Sequence, residues 1–402
     1  MRAIARRAGV TDAALYYYFE SKDEIFAALL TEPDYALPSS TPQTPDELLE
    51  IALDQFRAWV EHAPLVRLTL REALNGRFAA RQFSVRTTEI SRARIVEAAS
   101  ALFPGELGLT VGDALAAVRF GALTDLVLRA GPNVEEFAAD ESFHRWLRGI
   151  AARAIPGAAR PRAAIVPFPY RISGGEAETD SPEPRADEPT PRPPPAPELF
   201  QPELSRRRGR ERTRRRIIQA AARVFARRGF DGASMKAIAE EAGLTDAALY
   251  YYFRSKREIL DALWDVPELR PLGLDPERGE PADLASLMAS VCDLIAAQDP
   301  VIRLTMIQTL SGDRTGKALR EATLARWRRF VYRWAECHLP LDPADLLPTV
   351  DAITMAIIGT TVPAQVRYGE EAPSVFRSTQ HKQRLARIAA VLAAGPADSV
   401  AS

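Results

Sequence analysis

Apolar residues recur along this chain at helical intervals. In RTRRRIIQAAARVFARRG (212–229), Ile217, Ala221, Val224 and Phe225 fall on one face, and Gly229 ends the run. Ser234 stands where it can cap a short helix running to Ala242, with Ile238 and Ala239 turned inward. Gly243 breaks that helix, Thr245 is placed to cap the next, and Leu249 and Phe253 lie four apart on its buried face. SKDE (21–24) and SKRE (255–258) have the spacing of capping boxes, serine reaching forward and glutamate back. A longer amphipathic helix is predicted over 44–63, capped by Thr44, with Pro45 in its first turn and Leu49, Ala52, Phe56 and Trp59 as its stripe. Further runs lie near 86–103, 111–130 and 141–154, with others near 283–298, 315–338, 344–367 and 378–394. No alternating strand pattern stands out, so the expected fold class is all-α.

These stripes come in two sets. Aligning 1–30 with 235–264 gives 21 identities in 30 positions, among them TDAALYYYF at 11–19 and again at 245–253. The correspondence continues more faintly, APLVRLTLREALNG (63–76) echoing DPVIRLTMIQTLSG (299–312), and Gly121 and Gly131 falling over Gly359 and Gly369. Two whole units are therefore expected, each a head followed by a body: heads at 1–31 and 206–265, bodies at 44–157 and 281–395. The segment between the units, 158–205, is rich in proline and acid and poor in large apolar residues, so it reads as an extended spacer.

Composition narrows the function classes. A hydrophobic fraction of 47 % and a charged fraction of 26 % describe a globular protein. The net charge of -1 requires any nucleic-acid binding to come from local clusters. Cys292 and Cys337 have no metal-ligand spacing, and no metal or cofactor is expected. The start, MRAIARRAGV, lacks the apolar run of a signal peptide, and no stretch approaches about 20 consecutive apolar residues, so a cytoplasmic protein with no membrane partner is expected.

The short helix pair carries the chemistry. Two short helices about a glycine turn fit a helix-turn-helix, whose second helix directs its N-terminal residues at base edges. With Leu249 and Phe253 turned inward, Thr245, Tyr250 and Tyr251 are left to project elsewhere. A threonine hydroxyl can meet a base or a phosphate, and tyrosine hydroxyls suit phosphate oxygens. The competing assignment is packing between helices, yet three consecutive helix positions cannot all face one core. Lys256 opens the following helix, where its ammonium could hold a phosphate, and Lys22 occupies the matching place. RRRGRERTRRR (206–216) leads into the second head as a candidate phosphate-contacting arm, with Arg210, Arg214 and Arg215 the candidates.

GLTDAALYYYFRSKREIL (243–260) resembles the helix-turn-helix signature of the TetR (tetracycline-repressor-like) family of bacterial transcription regulators. The resemblance is specific over 206–264 and 1–30 and compatible elsewhere. It implies a three-helix DNA-binding head followed by a helical domain for ligand binding and dimerisation. It further implies DNA contacts from Ser234, Lys236, Thr245, Tyr250, Tyr251, Tyr252 and Lys256, and from Arg2, Thr11, Tyr16, Tyr17, Tyr18 and Lys22 in the first head. The family often has histidine where Tyr18 and Tyr252 stand. Met1 aligns with Met235, inside the second helix of the motif, so the counterpart of 212–229 is missing from the first head. The expectation is a native start upstream; a chain starting here should bind DNA weakly or one-sidedly.

Such regulators act as two-fold dimers on palindromic sites. This chain is expected to fold as an intrachain pseudo-dimer, with 111–130 and 141–154 packing against 344–367 and 378–394. A homodimer of chains is the alternative stoichiometry. The partners are then a double-stranded DNA operator and, through the resemblance, a small-molecule effector held in an apolar pocket. Phe56, Trp59, His62 and Phe103 in the first body, and Met288, Cys292, Trp327, Trp334 and His338 in the second, are candidate lining residues. Two rival classes remain at this point. A scaffold or ligand sensor could carry heads that no longer bind DNA. An enzyme is disfavoured by scattered histidines and by the absence of GxSxG, HExxH or a glycine-rich phosphate loop.

Overall fold

The structure, a computed structural model, describes residues 1–30, 41–160, 201–265 and 281–394. Among these every regular element is helical. The first head comprises α1 (Arg2–Ala8), α2 (Asp12–Tyr18) and α3 (Lys22–Leu29). The first body follows as α4 (Pro45–Glu61), α5 (Ala63–Leu74), α6 (Phe78–Leu102), α7 (Glu106–Ala130), α8 (Val134–Ala138) and α9 (Glu141–Ala152). The second head is α10 (Gln201–Gly232), α11 (Met235–Ala242), α12 (Asp246–Tyr252) and α13 (Lys256–Asp265). The second body is α14 (Leu284–Leu310), α15 (Arg314–His338), α16 (Pro343–Tyr368), α17 (Ala372–Arg377) and α18 (Thr379–Ala393).

Local chemistry accounts for the helix starts. Thr44, Ser234 and Thr245 each accept a backbone N–H from three residues ahead, at 3.2, 3.1 and 3.2 Å. The serine–glutamate pairs differ slightly from the expected boxes. Glu24 and Glu258 reach past the cap to the N–H of Glu20 and Arg254, at 2.6 and 2.7 Å. A full capping box occurs instead at the start of α14, between Asp283 and Ser286.

Several expected boundaries move, among them these. The spacer expected over 158–205 lies outside the described residues from 161 to 200, but its ends are structured. Ala158 is buried in the first body, and 201–205 belong to α10, which begins eleven residues earlier than the stripe at 212 indicates. The run expected to stop near 298 continues through Pro300 to Leu310, whereas the equivalent chain in the first body breaks at His62, between α4 and α5.

The two bodies share one continuous hydrophobic core, centred on α7 and α16. The runs expected to pair lie in α7, α9, α16 and α18, and α16 packs on both α7 and α9 while α7 also meets α18. Two glycines permit the central crossing. A Cβ built on Gly121 would fall 1.9 Å from the Met355 carbonyl oxygen, and one on Gly359 would fall 1.9 Å from that of Ala117. Gly121 and Gly359, like Ala117 and Met355, occupy matching places in the two bodies, so the approach is reciprocal, as in an isologous two-fold contact. The polar pairs around it follow the same operation. Asp113 receives Arg92 of its own body and Arg384 of the other, the latter at 2.9 Å. Its counterpart Asp351 receives Arg328 at 2.6 Å and, across the seam, Trp146 Nε1 at 3.0 Å. Other pairs are one-sided: Arg320 of the second body bonds buried Asp125 of the first. Helices α14 and α16 have the length and apolar composition of membrane spans, but α16 is mostly enclosed by other helices of the bodies.

Candidate nucleic-acid interface

The second head is assembled around a compact core of its own. Ile217 and Phe225 of α10 meet Ile238 of α11, Leu249 and Phe253 around α12, and Leu263 of α13, and the cluster rests on Val301 and Leu304 of α14. Gly243, at φ 65°, makes the left-handed turn between α11 and α12, a conformation glycine adopts without a Cβ penalty. With Leu249 inward, Tyr250 and Tyr251 stand 53 % and 67 % exposed. Arg210, Ser234, Lys236 and Thr245 are exposed as well.

Three residues expected from sequence to meet DNA make internal contacts in the head. Tyr252 is half-buried against the head core and meets the Tyr251 ring edge-on, with centroids 5.2 Å apart. Lys256 is half-buried, and its ammonium donates to the carbonyls of Phe230 at 2.6 Å and Ala233 at 3.0 Å while lying 4.8 Å from the Phe230 ring centroid. It ties α13 to the carbonyl end of α10, where helix carbonyls lack intrahelical donors. The half-buried Arg214 places its guanidinium 5.2 Å over the Phe253 ring. Arg215 is exposed and pairs with Glu211 at 3.5 Å.

The first head repeats this geometry with less behind it. Gly9 turns at φ 69°, Thr11 accepts Ala14 N–H at 3.1 Å, and Tyr17 and Tyr18 stand edge-on at 5.0 Å. Tyr16, Tyr17 and Tyr18 are exposed, as are Lys22 and Arg2, the latter 3.3 Å from Asp12. Among the described residues no helix equivalent to α10 covers this head. Ile4 is consequently 37 % exposed where Ile238 is fully buried, and Phe19 is half-buried where Phe253 is sealed. Its anchor is Phe26, buried in the core of the first body beneath the Arg77 guanidinium at 4.6 Å.

Both heads match one family model, described as bacterial regulatory proteins, tetR family, over residues 1–29 and 217–263. The two heads are thus of the tetR type. Similar curated proteins include the HTH-type transcriptional regulator SrpR of Pseudomonas putida, 36 % identical over 87 residues, which are 21 % of this chain and 40 % of the relative. The HTH-type transcriptional regulator AcrR of Shigella flexneri is 29 % identical over 83 residues, 20 % of this chain and 39 % of the relative. The uncharacterized HTH-type transcriptional regulator TtgW of Pseudomonas putida is 35 % identical over 85 residues, 21 % of this chain and 63 % of the relative. The chain thus spans less than two thirds of the length of each of these relatives.

Behind the tetR-type heads the bodies contain several cavities, two of which bear on the expected effector pocket. One, of about 110 Å³, is lined mainly by the second body, with Trp327, Ile295, Val291 and Ile357 among its walls. The other, of about 490 Å³, lies between the first body and α16 and α18, with Trp59, Phe120, Ser91 and Arg119 among its walls. Of the lining residues expected from sequence, Trp327 and Trp59 face these two cavities. Phe56 borders a separate cavity of about 170 Å³ beside His144 and Arg148. Met288 and Cys292 are core, and burial pushes the Cys292 thiol up to about 12. Trp334 donates to the Pro281 carbonyl at 2.8 Å and stacks on His338 at 4.7 Å. Sequence reasoning missed Arg119. The available signal was one arginine inside the otherwise apolar AAVRFGAL (116–123).

Proposed function

We propose that this chain is a tetR-family DNA-binding transcriptional regulator, most simply a repressor, acting as an intrachain pseudo-dimer on a near-palindromic operator. One observation carries the proposal: the same seven-residue helix, capped the same way and exposing the same two tyrosines, is built twice on bodies related by a pseudo-two-fold seam. Two identical reading helices on such an axis suit two half-sites of like sequence. Tyr16, Tyr17, Tyr250 and Tyr251 hold phosphates, Thr11 and Thr245 sit at the base-facing ends of their helices, and Lys236 and Arg210 add backbone charge. Lys256, Arg214 and Tyr252 hold the second head together and act on DNA indirectly. A small molecule in the bodies shifts the spacing of the heads and so controls binding. Such a protein works in the cytoplasm and needs neither membrane nor catalytic chemistry.

Selection from random DNA followed by footprinting tests this reading. Two half-sites of near-identical sequence, bound by one chain per operator in light scattering, are expected. Unrelated half-sites, or four heads in a stable dimer of chains, contradict it. The thin core of the first head favours a second reading, a sensor whose heads no longer engage DNA. Placing a copy of 201–234 ahead of Met1 separates the two, because a regulator then gains salt-dependent DNA affinity and a sensor does not.

A further inference from the structure

We infer that the cavity of the first body is a site for an organic anion, a carboxylate on an aromatic or aliphatic frame, held by Arg119. Arg119 lines the cavity and is 7 % exposed. Its two terminal nitrogens bond the Gln55 side-chain carbonyl and the Ser91 hydroxyl, both neutral. No carboxylate among the described residues pairs with it. Burial alone pulls this guanidinium down to about 9, with no acidic neighbour opposing the shift. A buried cation lacking an anion is costly, and the cost is removed when a carboxylate enters with its own charge.

The surroundings favour the same occupant. Five arginines line the cavity against two carboxylates, Glu89 and Asp113. Both acids are engaged, Glu89 by Arg367 and Asp113 by Arg92 and Arg384, so positive charge remains in excess. Trp59 and Phe120 stand edge-to-face, with centroids 5.8 Å apart, and give an apolar wall for the rest of the ligand. A planar guanidinium fork matches a carboxylate in geometry as well as charge.

The second body isolates the cause. Taking the repeat offsets of 236 and 238, Gln55, Ser91 and Arg119 correspond to Val291, Trp327 and Ile357. All three of these line the smaller cavity, whose volume is about 110 Å³ against about 490 Å³. The second body therefore lacks the counterpart of this anion site among its described residues. This deepens the effector reading above and rests on it only for the link to DNA, since ligand binding is measurable alone.

Titration calorimetry of the full chain with 1-naphthoate and octanoate, each against its neutral amide, tests the site. At least one acid is expected to bind about tenfold or more tightly than its amide, the scale of a charge-assisted hydrogen bond. Arg119→Met should abolish that preference and Arg119→Lys should keep part of it. Ser91→Trp, which copies Trp327 without touching the charge, should exclude acid and amide alike. Equal affinity of acid and amide, no binding of either acid at about 1 mM, or unchanged acid binding in Arg119→Met overturns the inference. Repeating the titration with operator DNA present keeps the two proposals apart: ligand bound with no effect on DNA leaves the site standing and removes only its regulatory role.

Discussion

Where the first body holds Gln55, Ser91 and Arg119, the second holds Val291, Trp327 and Ile357, and the helices carrying them run in the same order around both. Three substitutions accompany the change from a roomy cleft with a buried cation to a small apolar cavity with an indole in its wall. The seam shows the opposite behaviour. Gly121 and Gly359 remain glycine because each faces a carbonyl oxygen of the other helix, and a methyl group there would drive the backbones apart. A seam between two backbones tolerates little, whereas a cavity wall can change once its volume is refilled. The bodies have kept what joins them and diverged in what they enclose.

Four measurements sharpen or break this comparison. The largest effect is expected at Trp327, where truncation to alanine should cost about 3–5 kcal/mol in denaturant unfolding, while Ser91→Ala should cost under about 1 kcal/mol. Equal costs would mean that the Trp327 indole does not account for the narrowness of the second cavity.

Next comes a pH effect confined to the second body. His381 is Phe143 in the first, and burial, followed by nearby Arg384, pulls its imidazole down to about 4. Between pH 6.5 and 4 the unfolded chain takes up a proton that the folded chain refuses, so stability falls on acidification. His381→Phe should remove up to about 3 kcal/mol of that loss, read from unfolding at pH 7 and pH 4.5. A variant as acid-sensitive as the parent would place the titration elsewhere. Below that range a cross-seam pair takes over. Burial would raise the Asp125 carboxyl, but Arg129 and Arg320 hold it at about 2, so its stabilisation is lost as pH falls from about 4 towards 2.

At the seam, Gly121→Ala and Gly359→Ala should each cost about 2–3 kcal/mol, and by similar amounts. Strongly unequal values would break the pseudo-two-fold description. The smallest effect belongs to the heads: Tyr250→Phe should weaken operator binding by about 1 kcal/mol, roughly fivefold, through loss of one hydroxyl–phosphate bond. Tyr16→Phe should weaken it less, in proportion to how poorly the first head is held. Equal losses would show that the thin core around Ile4 and Phe19 does not limit binding.

Much of this was readable before any coordinates. The all-α class, the two tetR-type heads and the capped starts at Ser234 and Thr245 follow from patterns within a few residues of each other. Exposure of Tyr250 and Tyr251 follows too, because Leu249 and Phe253 claim the buried face of α12. The internal contacts of Lys256 were not readable, for an equally physical reason. Its partners, the carbonyls of Phe230 and Ala233, are 26 and 23 residues away, and nothing beside Lys256 announces them. The spacer's end at 201–205 was misread because helix α10 there carries no apolar stripe to reveal it.

What the amino-acid sequence determined by itself, then, is local: which segments coil, where they begin, and that the whole plan occurs twice. Helix periodicity and end-capping act over three or four positions, and a repeat is visible however the copies are arranged. Tertiary structure alone decided that Arg119 is enclosed with only neutral partners, that Gly121 and Gly359 mark one crossing, and that Trp146 reaches Asp351, 205 residues on. Burial, charge compensation and close approach are properties of neighbours in space, and here those neighbours come largely from other helices and often from the other half of the chain.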